Sequence, residues 1–94
     1  MNKDIYEISN ILSTNQNPQE IYDFLQVILS PAELDGVSKR WALLKLLDEG
    51  MSQRAISNEL GISLCKITRG SKELQKNNSI VLSFINKGKE INNG

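Results

Sequence analysis

The apolar residues of this chain recur at helical spacing from one end to the other, and this spacing constrains the fold more than any other feature. Ile5, Ile8 and Leu12 follow an i, i+3, i+7 pattern, which is typical of an amphipathic helix. No stretch combines sustained apolar and polar alternation with β-branched side chains, as a half-buried strand does. The sequence therefore predicts an all-α protein.

Two short signals that contain proline mark the starts of helices. In Asn17-Pro18-Gln19-Glu20 the asparagine can cap a helix, the proline suits the first helical position, and the glutamate stands where a capping box needs a carboxylate. Ser30-Pro31-Ala32-Glu33 repeats this signal. Together with the apolar spacing, these signals predict helices over about residues 4–15, from Pro18 onward, from Pro31 to about Glu49, from Gln53 to about Leu60, from Leu64 to about Leu74, and after a cap at Ser79.

The candidate core follows the same spacing. The helix that begins at Pro31 is predicted to bury one apolar face, which consists of Leu34, Val37, Trp41, Leu44 and Leu47. The next two helices are predicted to turn another set of residues inward, namely Ile56, Leu60, Leu64, Ile67, Ser71 and Leu74.

Length and polarity limit the organisation of the chain. Its 94 residues allow one small domain, residues 1–94. The polar ends, residues 1–3 and 88–94, are expected to be disordered. No run approaches the roughly 18 apolar residues of a membrane span. We therefore expect a cytoplasmic protein with no membrane partner.

The composition argues against catalysis. The chain contains no histidine and one cysteine, which removes histidine-dependent triads, the usual transition-metal sites and any internal disulfide. It also lacks a glycine-rich phosphate loop and a nucleophile elbow. We therefore expect no enzymatic activity, no metal and no cofactor.

The charges are distributed unevenly although the net charge is zero. Up to Gly36 the chain has one base against six acids, and after it ten bases against five acids. A basic half is one hint of a polyanion partner, and a solvated surface is the alternative. The split alone does not decide between the two.

Residues 52–74 are predicted to form a helix-turn-helix unit. Ser52 and Ser63 can each cap a helix, and Gly61 suits the tight turn between the two helices. With the aliphatic face of the second helix turned inward, Lys66, Arg69 and other polar residues point outward. Cations that meet phosphates, next to small groups that meet base edges, are typical of a DNA-reading helix. The alternative is the solvated basic face of an ordinary helical hairpin.

Arg40 is open to two interpretations. It precedes Trp41 in the middle of a helix, beside the apolar stripe. It is either a surface arginine that lays its aliphatic stem along the helix or a guanidinium that stacks on a planar ligand.

Three motifs of the chain occur together in one known family, namely Met51-Ser52-Gln53-Arg54, Asn58-Glu59-Leu60-Gly61 and Ile67-Thr68-Arg69-Gly70-Ser71. Upstream, Leu29-Ser30-Pro31-x-Glu33 and the helix from Arg40 to Gly50 match in order and spacing. Over about residues 19–86 the chain therefore resembles the tryptophan repressor family. The resemblance implies a six-helix chain that interlocks with a second copy as a homodimer, whose recognition helices read a palindromic operator in double-stranded DNA.

The resemblance also implies a corepressor, L-tryptophan. Arg40 and Arg69 match the two arginines that sandwich the indole ring, and Arg69 also pairs with the ligand carboxylate. Gly70 allows close approach of the ring. Glu73 stands where the family has a serine near the ligand amino group. The residues that would close the pocket from the other subunit are Val27, Leu29 and Ser30.

The DNA-contacting residues predicted from the segment and the resemblance are Ser52, Gln53, Arg54, Ser63, Leu64, Cys65, Lys66, Thr68 and Lys72. Ser57 replaces a family lysine that contacts phosphate. We therefore expect a tryptophan-responsive repressor of tryptophan biosynthesis or salvage genes. A regulator of the same fold that ignores tryptophan, and a helical dimerisation module that does not bind DNA, are the alternatives.

Overall fold

The computed structural model describes residues 1–93. They form six helices and no strand, so the prediction of an all-α, six-helix chain is confirmed. None of the helices in this part of the chain is both long and apolar enough to span a membrane. The helices are α1 (Lys3–Thr14), α2 (Pro18–Ile28), α3 (Pro31–Asp48), α4 (Gln53–Leu60), α5 (Leu64–Gln75) and α6 (Ile80–Asn93).

The two predicted start signals act as helix caps. The Asn17 side chain accepts a hydrogen bond from the backbone N–H of Gln19 at 3.0 Å. At α3, the Ser30 hydroxyl accepts from the Glu33 N–H at 3.2 Å, and the Ser30 N–H donates to the Glu33 carboxylate at 2.9 Å. This reciprocal pair is a capping box. The Ser30 backbone N–H, as the larger cause, and the Ser30 side chain both stabilise the Glu33 carboxylate by hydrogen bonding and hold its pKa below its usual value.

By its internal contacts the chain divides into two compact units, residues 1–35 and the chain from Gly36 onward. The first unit contains α1, α2 and the start of α3. Neither α1 nor α2 contains a buried residue, although both carry an apolar stripe. Several large apolar side chains of this unit are exposed, namely Ile5, Tyr6, Ile11, Tyr22, Phe24, Val27 and Ile28.

The core of the second unit is small. Leu43, Ile56 and Ile67 are buried, with 3%, 0% and 0% of their surface exposed. The half-buried residues that pack around these three are Leu44, Leu46, Leu47, Met51, Leu60 and Ile62. Thus α3, α4 and α5 each supply one buried residue to this cluster.

The predicted face of α3 was partly wrong. Leu43, which the predicted face omits, is its buried residue, whereas Val37 is 52% exposed. Leucines stand at positions 43, 44, 46 and 47, so apolar side chains surround this part of the helix. Spacing alone does not identify which of them the neighbouring helices cover.

A three-residue turn joins α4 to α5. Gly61 adopts a left-handed conformation with φ of 66°, which favours glycine. The Ser57 hydroxyl donates to the Ile62 carbonyl at 2.7 Å and ties the end of α4 to the turn. Leu64, predicted to face inward, is 49% exposed. It is the first residue of α5, and the buried contact begins at Ile67.

Helices α1 and α6 extend into the two polar ends of the chain. Asn2 caps α1, which starts at Lys3, and α6 continues through the expected disordered segment 88–94 as far as Asn93; residue 94 lies outside the described range. The Lys89 ammonium contacts the Asp48 carboxylate at 2.6 Å. This contact joins the last turns of α6 to the end of α3, and a polar composition does not reveal such a long-range partner.

Candidate functional site

A cavity of about 300 Å³ lies among α3, α5 and α6 of the second unit. Such a volume suits a small ligand. The cavity combines cationic, acidic and aliphatic side chains, and the lining residues are Arg40, Leu43, Leu44, Lys66, Arg69, Gly70, Glu73 and Val81.

Helical spacing explains why α5 contributes half of this lining. Its lining residues stand at positions i, i+3, i+4 and i+7 from Lys66 to Glu73, which form one face of a helix. Arg40 and Leu44 are four residues apart on α3, so they face the cavity together. Val81 completes the lining from the first turn of α6.

Gly70 of α5 lies close to two leucine side chains of α3. A Cβ atom at this position would lie 2.6 Å from Cδ1 of Leu43 and 3.3 Å from Cδ2 of Leu44. Since Leu43 is buried, its side chain has little room to move aside. The absence of a side chain at Gly70 therefore permits the close approach of α5 and α3, the helices that carry Arg69 and Arg40.

The electrostatics of the cavity are asymmetric. Three cationic side chains, those of Arg40, Lys66 and Arg69, line it together with the Glu73 carboxylate. Guanidinium groups stack on planar rings and bind carboxylates, and the leucines offer an apolar wall. This arrangement suits a small planar molecule that carries an acidic group.

The structure brings four of the seven predicted ligand residues together. Arg40, Arg69, Gly70 and Glu73 line the one cavity. The other three belong to the first unit. Val27 is 87% exposed and Leu29 is half-buried. Ser30 is exposed and forms the capping box of α3.

The predicted DNA-contacting residues lie on α4, on α5 and at their N-caps. Two of the nine are half-buried, and the rest are exposed, namely Ser52, Arg54, Ser63, Leu64, Cys65, Lys66 and Lys72. Ser52 and Ser63 accept hydrogen bonds from Ala55 and Lys66 backbone N–H groups, at 3.2 and 3.4 Å. The exposed cations of this set share one pair of helices, α4 and α5.

The two half-buried members of this set contact each other. The Thr68 hydroxyl donates to the side-chain carbonyl of Gln53 at 3.0 Å. This bond joins the first turn of α4 to the middle of α5, which are 15 positions apart in sequence. It therefore helps to hold the two helices in a fixed relation.

A sequence model of a known family, described as "Trp repressor protein", matches residues 3–88. The match covers nearly the whole chain and includes every residue that lines the cavity. The chain belongs to the Trp repressor family.

Curated relatives of this Trp repressor family member agree with the assignment, and each is named Trp operon repressor homolog. The protein of Xylella fastidiosa is 35% identical over 69 residues, which cover 72% of this chain and 75% of the relative. The protein of Vibrio campbellii is 34% identical over 74 residues, or 78% and 74% of the two chains. That of Chlamydia trachomatis is 31% identical over 78 residues, or 82% and 83%. No significant match was found among solved structures.

Membership of the Trp repressor family decides the broad class of function. The family is regulatory and non-enzymatic, so this member is not an enzyme. The family uses tryptophan as a ligand. Among the residues that the structure describes, no group of three or more histidine, cysteine or acidic side chains is arranged to hold a metal ion.

Sequence reasoning missed several cavity residues of this Trp repressor family member. Leu44 stands four positions after Arg40, and Lys66 stands three before Arg69, so helical spacing from the two arginines would have found both. Lys66 was predicted only to contact DNA, and the structure places it in the cavity lining as well. Leu43 stands three positions after Arg40, so the same spacing would have found it as well. Val81 carries no such signal, because its place depends on how α6 packs.

Proposed function

We propose that the chain is a tryptophan-responsive transcriptional repressor, which binds L-tryptophan as a corepressor and then a palindromic operator as a homodimer. The regulated genes would be those of tryptophan biosynthesis or salvage, and the protein would act in the cytoplasm. The observation that carries this proposal is the meeting of Arg40 and Arg69, from two different helices, at one cavity beside Gly70.

The ligand step follows from the chemistry of these side chains. An indole ring is flat and apolar, so it suits guanidinium groups above and below it and leucine side chains at its edge. The ligand carboxylate would pair with Arg69 and approach Lys66. In this arrangement Val27, Leu29 and Ser30 of the partner subunit would close the pocket.

The DNA step would use the exposed cations of α4 and α5. In a helix-turn-helix unit the second helix enters the major groove, which would assign base reading to α5 and phosphate contacts to the helix starts. For tryptophan to act as a corepressor, it must bind the DNA-competent arrangement of α5 more tightly than any other arrangement. Lys66 belongs both to the cavity lining and to the proposed DNA-contacting set, so ligand and DNA would act on the same helix.

The dimer is supported by the apolar surface that the single chain leaves exposed. Among the residues that the structure describes, thirteen large hydrophobic side chains are exposed, and α1 and α2 have no buried residue. Large apolar side chains left exposed in this number are a feature of proteins that associate. A second copy of this chain would cover it and would supply the core that a chain of this length lacks.

Isothermal titration calorimetry with purified protein and L-tryptophan tests the ligand step. We expect saturable binding that Arg40→Ala and Arg69→Ala each weaken by about tenfold or more, because each loses a charge-assisted contact. Arg54→Ala is the matched control, since it removes an arginine outside the cavity and is expected to weaken only operator binding. No binding by the wild type at millimolar ligand would overturn the corepressor.

Operator binding tests the DNA step. With tryptophan present, affinity for an operator-like duplex is expected to fall steeply as salt rises, because bound phosphates release counterions. Lys72→Met is expected to reduce the slope of log affinity against log salt by about one. A flat salt response, or no binding at low salt, would favour a dimerisation module without DNA binding.

One observation favours a second candidate, a regulator of the same fold that ignores tryptophan. Glu73 places a carboxylate in the cavity, and a carboxylate repels the acidic group of a ligand that binds in the opposite orientation. Operator affinity that is equal with and without tryptophan would support this candidate over the first.

A further inference from the structure

Glu73 is the one carboxylate among the described residues that line the cavity, where the other charged groups are Arg40, Lys66 and Arg69. It stands on the same face of α5 as Lys66, seven residues further along the helix. The cavity is therefore polarised, because Glu73 marks an acidic end of the α5 face on which Lys66 and Arg69 also stand.

This carboxylate has a cationic partner within the chain. The Lys76 ammonium contacts Oε1 of Glu73 at 2.8 Å. Lys76 is the C-cap of α5 and does not line the cavity. Its side chain is 63% exposed and that of Glu73 is 41% exposed. The pair is thus solvated on one side, and such pairs are weak.

An α-amino acid with a planar side chain matches this polarity. Its carboxylate would turn toward the cationic side chains, and its ammonium would turn toward Glu73. The ammonium of the ligand and that of Lys76 are chemically alike, and each seeks the same carboxylate oxygens. Only one of them can take the best position at Oε1, so the two cations compete.

We propose that Glu73 binds the ammonium group of the ligand, and that Lys76 is a built-in competitor which the ligand displaces. The inference rests on the proposed corepressor site and adds how that site selects its ligand. Glu73 determines specificity for molecules with a free amino group. Lys76 lowers the affinity for them, because its pair with Glu73 must be broken on binding.

Two ligands separate the effects of these residues. L-tryptophan carries the ring, the carboxylate and the ammonium, whereas indole-3-propionate carries the ring and the carboxylate only. Loss of the Glu73 charge affects the first ligand through the lost ion pair. Indole-3-propionate has no ammonium and cannot form this ion pair, so a change in its affinity reports a change in the shape or overall charge of the cavity.

Calorimetry on the full chain measures both ligands against four proteins, namely wild type, Glu73→Gln, Lys76→Met and Lys87→Met. We expect Glu73→Gln to weaken tryptophan binding about tenfold without weakening indole-3-propionate, since a charge-assisted bond is lost. Lys76→Met is expected to tighten tryptophan binding by up to about fivefold, the range of an exposed ion pair. It should leave indole-3-propionate unchanged.

Lys87→Met is the matched control, because it removes a lysine charge from α6 at a position that does not line the cavity. It is expected to leave the ratio of the two affinities unchanged. If the wild type binds tryptophan and Glu73→Gln shows the same ratio of the affinities for tryptophan and indole-3-propionate, the proposed role of Glu73 is overturned. Weaker or equal tryptophan binding by Lys76→Met overturns the competition. A wild type that binds no tryptophan overturns the proposed corepressor, and this inference falls with it.

Discussion

Gly70 allows α5 and α3 to approach each other closely. Ala in its place would bring a Cβ within 2.6 Å of Leu43, and overpacking of this kind costs about 1–3 kcal/mol. The higher helix propensity of Ala offsets about 1 kcal/mol of this loss in folding free energy. We therefore expect Gly70→Ala to destabilise the fold by about 1 kcal/mol and to weaken ligand binding, as measured by urea denaturation and calorimetry.

The chain provides a matched control for this substitution. Gly36 also lies within a helix, and a Cβ there would meet no atom within 4 Å. Gly36→Ala is expected to be neutral or to stabilise by about 0.5–1 kcal/mol. Equal free energies of unfolding for the two variants would contradict the close packing of α5 on α3.

The Ser57 hydroxyl contributes to the turn between α4 and α5. Ser57→Ala removes its bond to the Ile62 carbonyl, which is partly buried. We expect a loss of about 1 kcal/mol in the free energy of unfolding, since the carbonyl loses its donor. Chemical denaturation, monitored by circular dichroism, measures this free energy of unfolding.

Ser9→Ala is the comparison for Ser57→Ala. The Ser9 hydroxyl bonds only to Ile5 of its own helix, at 2.8 Å, so its removal reports the change in helix propensity alone. That variant is expected to be as stable as the wild type or slightly more so. If both variants lose stability equally, the hydroxyl of Ser57 has no special role in the turn.

The start of α3 is expected to be sensitive to acid. The hydrogen bonds from Ser30 lower the pKa of Glu33 in the folded protein. The resulting stabilisation is complete above the ordinary glutamate pKa of about 4.3, and it is lost as the pH falls through the lowered, folded-state pKa. The difference in stability between wild type and Glu33→Gln should therefore shrink as the pH falls from neutral through this range.

Urea midpoints measured at several pH values test this behaviour of α3. The midpoints of wild type and Glu33→Gln are compared at each pH, so that the contributions of other titrating groups to stability cancel. A difference that stays constant down to pH values well below the ordinary glutamate pKa would contradict the role of Glu33 in the capping box.

The whole molecule is expected to gain stability from association. The buried cluster of one chain centres on Leu43, Ile56 and Ile67, and many large apolar side chains remain exposed. If a second copy covers them, folding and association are linked. Diluting the protein about a hundredfold should then lower Tm by several degrees, as measured by fluorescence or circular dichroism.

Sedimentation velocity over the same range of dilution gives the independent measurement. It should show the dimer at the protein concentrations at which Tm is high. A Tm that does not change with concentration, together with a monomer at every dilution, would contradict the homodimer.

The helices themselves were predictable from the sequence because their causes are local. Asn17, Ser30, Ser52 and Ser63 act as caps where their spacing to the following N–H groups allows it. Gly61 ends α4 because glycine adopts a left-handed conformation without strain. Arg40 and Arg69 were also predicted as ligand residues, through the resemblance to the family.

The packing of these helices depends on contacts between residues far apart in the chain, and local patterns do not carry that information. Leu43 is buried and Val37 is exposed because neighbouring helices cover one side of α3 and not the other. Lys66 lines the cavity because Gly70 lets α5 approach α3. Lys89 of α6 contacts Asp48 at the end of α3, a long-range partner that the polar composition of this segment does not reveal.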